Sequence, residues 1–339
     1  VIDQLEPFVT LRLQNEHASL VVLPTLGGKI VSLRSRTTGT QFLWQDPTRP
    51  YRIPQYGDNF GNYDASGWDE CFPSIAECAY PVSPWSGSVV PDHGELWSIP
   101  WTGAQPNNTT LYLHTYGVRF PYHFEKWIRL APAAAGFTFA YRVTNLSPFA
   151  FPYIWSAHLL LAAEEGMRIL LPGTPNMRLQ HVIGERGISG DVGAKYTWPW
   201  LPSSSGHAVD YREIGSPALD ANDKVVVDVP PEGWCALYRP HSGEYVGLTV
   251  SPKQIRFLGI CVNHGGWPFT GARGFWVAVE PCTGWPDRLD QAIREGGFAT
   301  LPAGQSVKWK LDLRIGRADT ANDVGSQMET PAGKHIRGS

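Results

Sequence analysis

The sequence predicts an all-β protein built as a single large antiparallel sandwich, and three observations predict it. Period-two alternation of apolar and polar residues recurs from end to end, as half-buried strands require. Helical periodicity is confined to one convincing segment. Glycine and proline, 35 and 29 of the 339 residues, punctuate the chain at roughly ten-residue intervals as turn formers. Length alone would also allow two domains, but no linker or internal repeat divides the chain, so one sandwich domain over residues 1–316 is expected.

The elements follow in chain order. "SLVVL" (19–23) is apolar throughout and reads as a strand covered on both faces. In "FPYHFEKWIRL" (120–130), Phe120, Tyr122, Phe124, Ile128 and Leu130 share a face that Lys126 interrupts. In "GFTFAYRVTN" (136–145), Phe137, Phe139, Tyr141 and Val143 oppose Thr138, Arg142 and Thr144. "WCALY" (234–238), "YVGLTV" (245–250) and "FLGICV" (257–262) again read as covered strands. "PDRLDQAIREGG" (286–297) is the one short helix, near 286–296: proline suits a first helical turn, Leu289, Ala292 and Ile293 share a face, and glycines end it. "VKWKLDLRIG" (307–316) alternates again, with Val307, Trp309, Leu311, Leu313 and Ile315 inward. Residues 46–108 and 172–222 show little alternation and are expected as long loops, a length that usually marks lids or binding loops. Residues 317–339 show no apolar periodicity and are expected as a poorly ordered C-terminal extension.

Composition narrows the partners. A formal net charge of −3 with 17% charged residues leaves no basic stripe for a phosphate backbone, so nucleic acid is not expected. No apolar run of about 18 residues predicts a membrane span, and "VIDQLEPFVTLRLQ" lacks the layout of a signal peptide, so a cytoplasmic location is expected. Oligomeric state leaves no mark in the sequence. Cys71, Cys78, Cys235, Cys261 and Cys282 are few and odd in number, which predicts free thiols. The chain has no phosphate loop, no nucleophile elbow and no dinucleotide fingerprint, so no cofactor is expected.

Four constellations could carry chemistry, each with a plain structural alternative. "GFWVAVEPCTGWPD" (274–287) ends an apolar strand on Glu280, which shares a face with Trp276 and Ala278. A carboxylate there is either a strand-end group reaching solvent or a partly desolvated base with raised pKa. "FPYIWSAHLLLA" (151–162) surrounds one imidazole, His158, which is either a satisfied core group or a catalyst. "PDHGELWSIPW" (91–101) crowds Asp92, His93 and Glu95 before Trp97, yet no second cluster completes a metal shell, so no metal is expected. "SGWDECFPSI" (66–75) and "VNHGGWPF" (262–269) offer Trp68, Asp69, Glu70, Asn263, His264 and Trp267, groups that stack on a sugar or bond its hydroxyls, or that simply build turns.

In this order, "GWDECFPSI", "PDHGELWSIPW", "YRVTNLSPFAFPYIWSAHLLL" and "VEPCTGWPDRLDQA" resemble the aldose 1-epimerase (mutarotase) family of the galactose mutarotase-like fold, over roughly residues 20–315. The resemblance implies a β-supersandwich with a sugar cleft on one face. It implies Glu280 as the base at the anomeric hydroxyl, His158 as the acid at the ring oxygen and His93 as a second imidazole polarising that oxygen. It also implies a small-molecule sugar as partner, with Trp68, Asp69, Glu70, Glu95, Trp97, Asn263, His264 and Trp267 as candidate sugar contacts, and no metal or organic cofactor. Two other readings stay open: a non-catalytic sugar-binding or sensor protein, and a lyase or glycoside hydrolase pairing Glu280 with Asp69, Glu70 or Glu95.

Overall fold

The computed structural model describes residues 5, 7–184, 186–268 and 273–330. Among these, alternation decides two large antiparallel sheets. The first has ten strands, in the spatial order Leu11–Gln14, Ala18–Leu23, Lys29–Ser35, Trp68–Cys71, Ser156–Ala162, Phe275–Cys282, Phe257–His264, Ala221–Asp228, Asn176–Ile183 and Lys195–Thr197. The second has eight, in the order Arg168–Leu170, Trp234–Arg239, Glu244–Val250, Ser306–Arg317, Gly136–Asn145, Tyr122–Leu130, Thr110–Tyr116 and Thr102–Asn107. The fold is the β-sandwich the sequence predicts.

The sheets meet through the faces that alternation assigns. Gly136–Asn145 alternates buried and half-buried along its whole length, and Leu159, Leu161, Val279 and Ile260 of the first sheet pack against Ile169, Leu237 and Leu248 of the second. Rings fill the middle: Trp68 lies 4.3 Å from Phe139, and Tyr141 stacks on Trp309 at 5.5 Å. Of the strands read as covered on both faces, Phe257–His264 is buried at every position, while Ser19, Thr249 and Val250 in two others are half-buried.

Lys126 does not interrupt its face; it belongs to it. Its ammonium is wholly buried between the sheets, donating to Glu70 Oε1 at 2.6 Å. Glu70 also accepts from Tyr141 Oη at 3.1 Å and Trp155 Nε1 at 2.9 Å. A buried charge persists only when paired and hydrogen-bonded, and these three donors do that for Glu70.

Three expectations are corrected. Residues 46–108 and 172–222 are not long loops throughout: Trp68–Cys71 and Asn176–Ile183 are integral strands of the ten-stranded sheet, with Met177 and Leu179 buried, and Thr102–Asn107 edges the eight-stranded one. There is not one helix but two among the described residues. The first, Leu289–Glu295, starts three residues past Pro286 and stops at Gly296, whose φ of 69° is the left-handed cap that glycine adopts without penalty. The second, Ala321–Glu329, lies where a poorly ordered tail was expected. A capping box between Thr320 and Asp323 closes its first turn, and Val324 and Met328, four apart, pack on Trp234, Tyr238 and Tyr245. Only two apolar positions are needed to seat so short a helix, too few to register as periodicity. The remainder of the tail, 331–339, lies outside the described residues. Among the described residues no helix is long and apolar enough to cross a membrane.

Candidate active site

The face of the ten-stranded sheet turned away from its partner sheet carries a row of ionisable side chains, and strand register puts them there. Residues directly opposite in an antiparallel pair point to the same side. His158 is opposite Asp69. Ser156 opposite Cys282 and Leu160 opposite Ala278 bring Glu280 beside His158 on its other flank. Glu280 is opposite Gly259, and Gly259 is opposite Val226, two residues from Lys224. Lys29, adjacent to the Ile30–Trp68 bridge, completes the far end. The row therefore reads Lys29, Asp69, His158, Glu280, Lys224.

At its centre His158 Nε2 lies 3.9 Å from Glu280 Oε1. Glu280 is 1% exposed, and its other oxygen, Oε2, accepts from Lys224 Nζ at 2.7 Å. Lys224 Nζ also donates to Asp287 Oδ2 at 2.9 Å. Burial opposes charge on Lys224, but Asp287 and Glu280 outweigh it and raise its pKa well above the usual value. For His158, burial, joined by the neighbouring His93, Lys224 and Lys29, drives the pKa well below 6.5, so its imidazole is neutral near pH 7. Lys224 is thus the cation beside Glu280.

At the other end Lys29 Nζ donates to Asp64 Oδ2 at 2.7 Å and lies 3.0 Å from Asp69 Oδ2. Asp69 is 1% exposed, and neither of its oxygens has a well-directed hydrogen-bond donor. Burial raises its pKa from 3.8 to about 6, with Lys29 pulling the other way.

His93 arrives from a turn. The segment "PDHG" is pinned by His93 N donating to Ile75 O and Glu95 N donating to Phe72 O, both at 2.7 Å. Gly94, at φ 72°, is required because a Cβ there would sit 2.2 Å from Phe72 O. His93 itself holds φ 59°, a conformation non-glycine residues seldom adopt and one that recurs at functional sites. Its ring stacks on Phe60 at 4.2 Å and meets His158 edge-on at 4.9 Å. Nδ1 bonds Asp92 Oδ1 at 2.9 Å; a carboxylate only accepts, so Nδ1 carries the hydrogen. Burial tends to raise the Asp92 pKa, but His93 and the Phe60 N–H hold it below its usual value.

The other expected sugar contacts divide. Trp97 is 3% exposed; its Nε1 donates to Asp92 O and its ring meets Phe60 edge-on, so it props the His93 turn. Trp267 lies on the site face, 6.0 Å from Trp276 and against Gly61. Trp68 and Glu70 are corrected: they point into the inter-sheet core, on the opposite face from Asp69. Glu95 is also corrected, being fully buried, with Oε1 accepting from Tyr56 Oη at 2.6 Å and Arg119 N at 2.8 Å and Oε2 without a well-directed hydrogen-bond partner among the described residues. Asn263 is spent on Trp267 O, Gly274 O and Trp267 N. His264 Nε2 accepts from Gly215 N at 3.1 Å while its buried Nδ1 has no hydrogen-bond partner among the described residues, and burial lowers its pKa to about 4. Sequence reasoning missed Lys29, Asp64, Lys224 and Asp287. The signal for both lysines was a lone cation in an apolar run, "GGKIVSL" and "NDKVVVDV".

No protein-family profile and no curated protein sequence matches the chain. Solved structures do match. A galactose mutarotase-like protein from Lactobacillus casei ATCC 334 is 16% identical with a TM-score of 0.65, over 91% of this chain and 100% of that one. A galactose mutarotase-like protein from Clostridium acetobutylicum is 13% identical with a TM-score of 0.64, over 92% and 96%. A galactose mutarotase related enzyme from Lactobacillus acidophilus is 14% identical with a TM-score of 0.63, over 92% and 99%. At such identities the likeness establishes the fold, which is galactose mutarotase-like.

Proposed function

We propose that this galactose mutarotase-like chain is a cofactor-independent aldose 1-epimerase, interconverting the anomers of a monosaccharide by general acid–base ring opening. The observation that carries the reading is the convergence, on one sheet face, of Glu280 Oε1 3.9 Å from His158 Nε2 and of the His93 ring 4.9 Å from His158. Mutarotation needs one base and one acid on two oxygens of the same carbon, each able to reverse its role.

Glu280 Oε1 takes the proton of the anomeric hydroxyl while the ring C–O bond breaks and the ring oxygen gains a proton from an imidazolium. The open aldehyde turns about C1–C2. On reclosure the ring hydroxyl adds to C1 and returns its proton to the imidazole, and Glu280 returns its own to the former carbonyl oxygen. The acid is assigned to His93 rather than to His158. Asp92 at Nδ1 stabilises the imidazolium, as a carboxylate does for an acid–base histidine, whereas burial, joined by His93, Lys224 and Lys29, keeps His158 neutral. Neutral His158 holds the ring oxygen as a hydrogen-bond partner, and Asp69 and Trp267 contact the sugar. The hydrolase reading loses two of its three candidate second carboxylates, since Glu70 is held in the core by Lys126 and Glu95 is fully buried with Oε1 held by Tyr56.

The test is the approach of freshly dissolved single anomers to equilibrium, followed by polarimetry or NMR over a panel of neutral aldoses, uronates and deoxy sugars. At least one sugar should equilibrate faster than in buffer. Glu280→Gln should lose about 10²–10⁴ of that acceleration with an unchanged melting curve. A panel with no acceleration would sink the enzyme reading, and sugar binding that survives in Glu280→Gln without turnover would favour a sensor.

A further inference from the structure

We propose that Lys224 is a positioning residue that keeps the Glu280 carboxylate ionised and turned, so that Oε1 alone is presented to the sugar. The proposal rests on Glu280 being the base. Lys224 starts two strands away from Glu280, and the strand between them would block its path if it carried a side chain at 259. It does not: a Cβ on Gly259 would lie 3.1 Å from Glu280 Oε2 and 3.3 Å from Lys224 Cε. Through that gap the Lys224 stem crosses to hold Oε2 at 2.7 Å, while Asp287 grips the same ammonium at 2.9 Å.

Every element packed against Glu280 contributes to its charge balance. The strand Ser156–Ala162 supplies His158, neutral near pH 7. The turn after Cys282 supplies Asp287, and His181, with a pKa lowered by burial, lies beyond Lys224. Cys71, Cys261 and Cys282 face it as thiols whose pKa values burial raises, so they stay uncharged. Lys224 is the lysine at hydrogen-bond distance. A carboxylate this buried without a cation would hold a proton at neutral pH and could not act as a base. With Lys224 in place the charge is kept, one oxygen is immobilised, and the free oxygen is aimed at His158 and the sugar between them. Asp287, as second anchor, keeps the ammonium from following the substrate.

The direction of the pH effect follows. The acid limb of kcat/KM reports protonation of the base in the free enzyme. Removing Lys224 strips the buried carboxylate of its cation and favours the protonated form, so that limb should move to higher pH. The experiment compares wild type, Lys224→Met and Lys224→Arg by kcat/KM from pH 4 to 9, and by ¹³C NMR titration of the Glu280 carboxyl, assigned through its absence in Glu280→Gln. In Lys224→Met the carboxyl titration and the acid limb should both rise by about 1–3 pH units, a loss of about 10- to 1000-fold on the acid side, with recovery as pH increases. Lys224→Arg should keep both near wild type. An unmoved carboxyl titration, or a loss equal at every pH, overturns the proposal. Should Lys224→Met fail to fold, Asp287→Asn leaves the ammonium to Glu280 alone; the titration should then stay or fall, and a rise is decisive against. A wild type inactive on all sugars removes the epimerase reading, while the carboxyl titration still judges Lys224.

Discussion

Asp69 shows why one residue can serve the site and cost the fold. Its carboxylate is 1% exposed and shares Lys29 with Asp64, so burial lifts its pKa from 3.8 to about 6. The unfolded chain releases this proton near pH 4 and the folded chain near 6. Across that interval the folded state holds more protons, and stability is lost as pH rises through the folded value. Asp69→Asn should therefore stabilise the protein at pH 7.5, by on the order of 1–3 kcal/mol, and the gain should vanish near pH 4. Thermal melts at both pH values check this; a gain independent of pH would refute it. The same substitution turns one of the two acceptors beside His158 into a donor and removes the charge, so weaker sugar binding should accompany the gain, the usual exchange of stability for function.

At the scale of elements, the strand Phe257–His264 works at the site through the side chain it lacks at 259. Gly259→Ala sets a methyl 3.1 Å from Glu280 Oε2 and 3.2 Å from Glu280 Cβ, so the carboxylate or the Lys224 stem must shift. The expected result is a kcat/KM at least 10-fold lower, since misplacement by about 1 Å can cost about 10²-fold, with little change in melting temperature. Gly136→Ala, whose nearest neighbour would be Leu313 O at 3.4 Å, serves as the comparison and should keep full activity. Equal rates in both variants would mean that the strand does not set the geometry of the base. The turn "PDHG" does comparable work for His93, where a positive φ and a glycine buy the one backbone path that stacks the imidazole on Phe60.

For the whole molecule, the joint between the sheets is partly ionic. Lys126 comes from the eight-stranded sheet and Glu70 from the ten-stranded one, and they meet at 2.6 Å with both wholly buried. Breaking such a pair from one side strands a buried charge, at about 3–5 kcal/mol. Lys126→Met should lower stability by that amount at pH 7.5. Lys126→Met with Glu70→Leu should recover most of it, because replacing a buried pair by apolar groups of similar volume is often neutral. Denaturant unfolding of the two variants measures the difference; a double variant as unstable as the single one would show that the pair itself holds the sheets together. Because Asp69 is next in the chain to Glu70 and faces the other way, this joint also fixes the height of the site row above the core.

The sequence by itself determined the class of fold and singled out three residues of the candidate site. Period-two alternation is a property of neighbours along the chain, so Phe137 to Val143 and Trp309 to Ile315 announced their faces without help. Glu280, His158 and His93 stood out because each is an ionisable group in apolar or glycine-rich surroundings. Only the tertiary structure decided which way Trp68, Asp69 and Glu70 point, since four consecutive buried residues carry no alternation to read. It alone brought Lys29 and Lys224 to the ends of the row from strands distant in sequence, and it alone separated Glu70, held in core hydrogen bonds, and Glu95, buried beside Tyr56, from Asp69, buried in the row next to His158. A carboxylate's partner is chosen by strand order and register, and those are set by pairing across the whole sheet rather than by any local stretch of the chain.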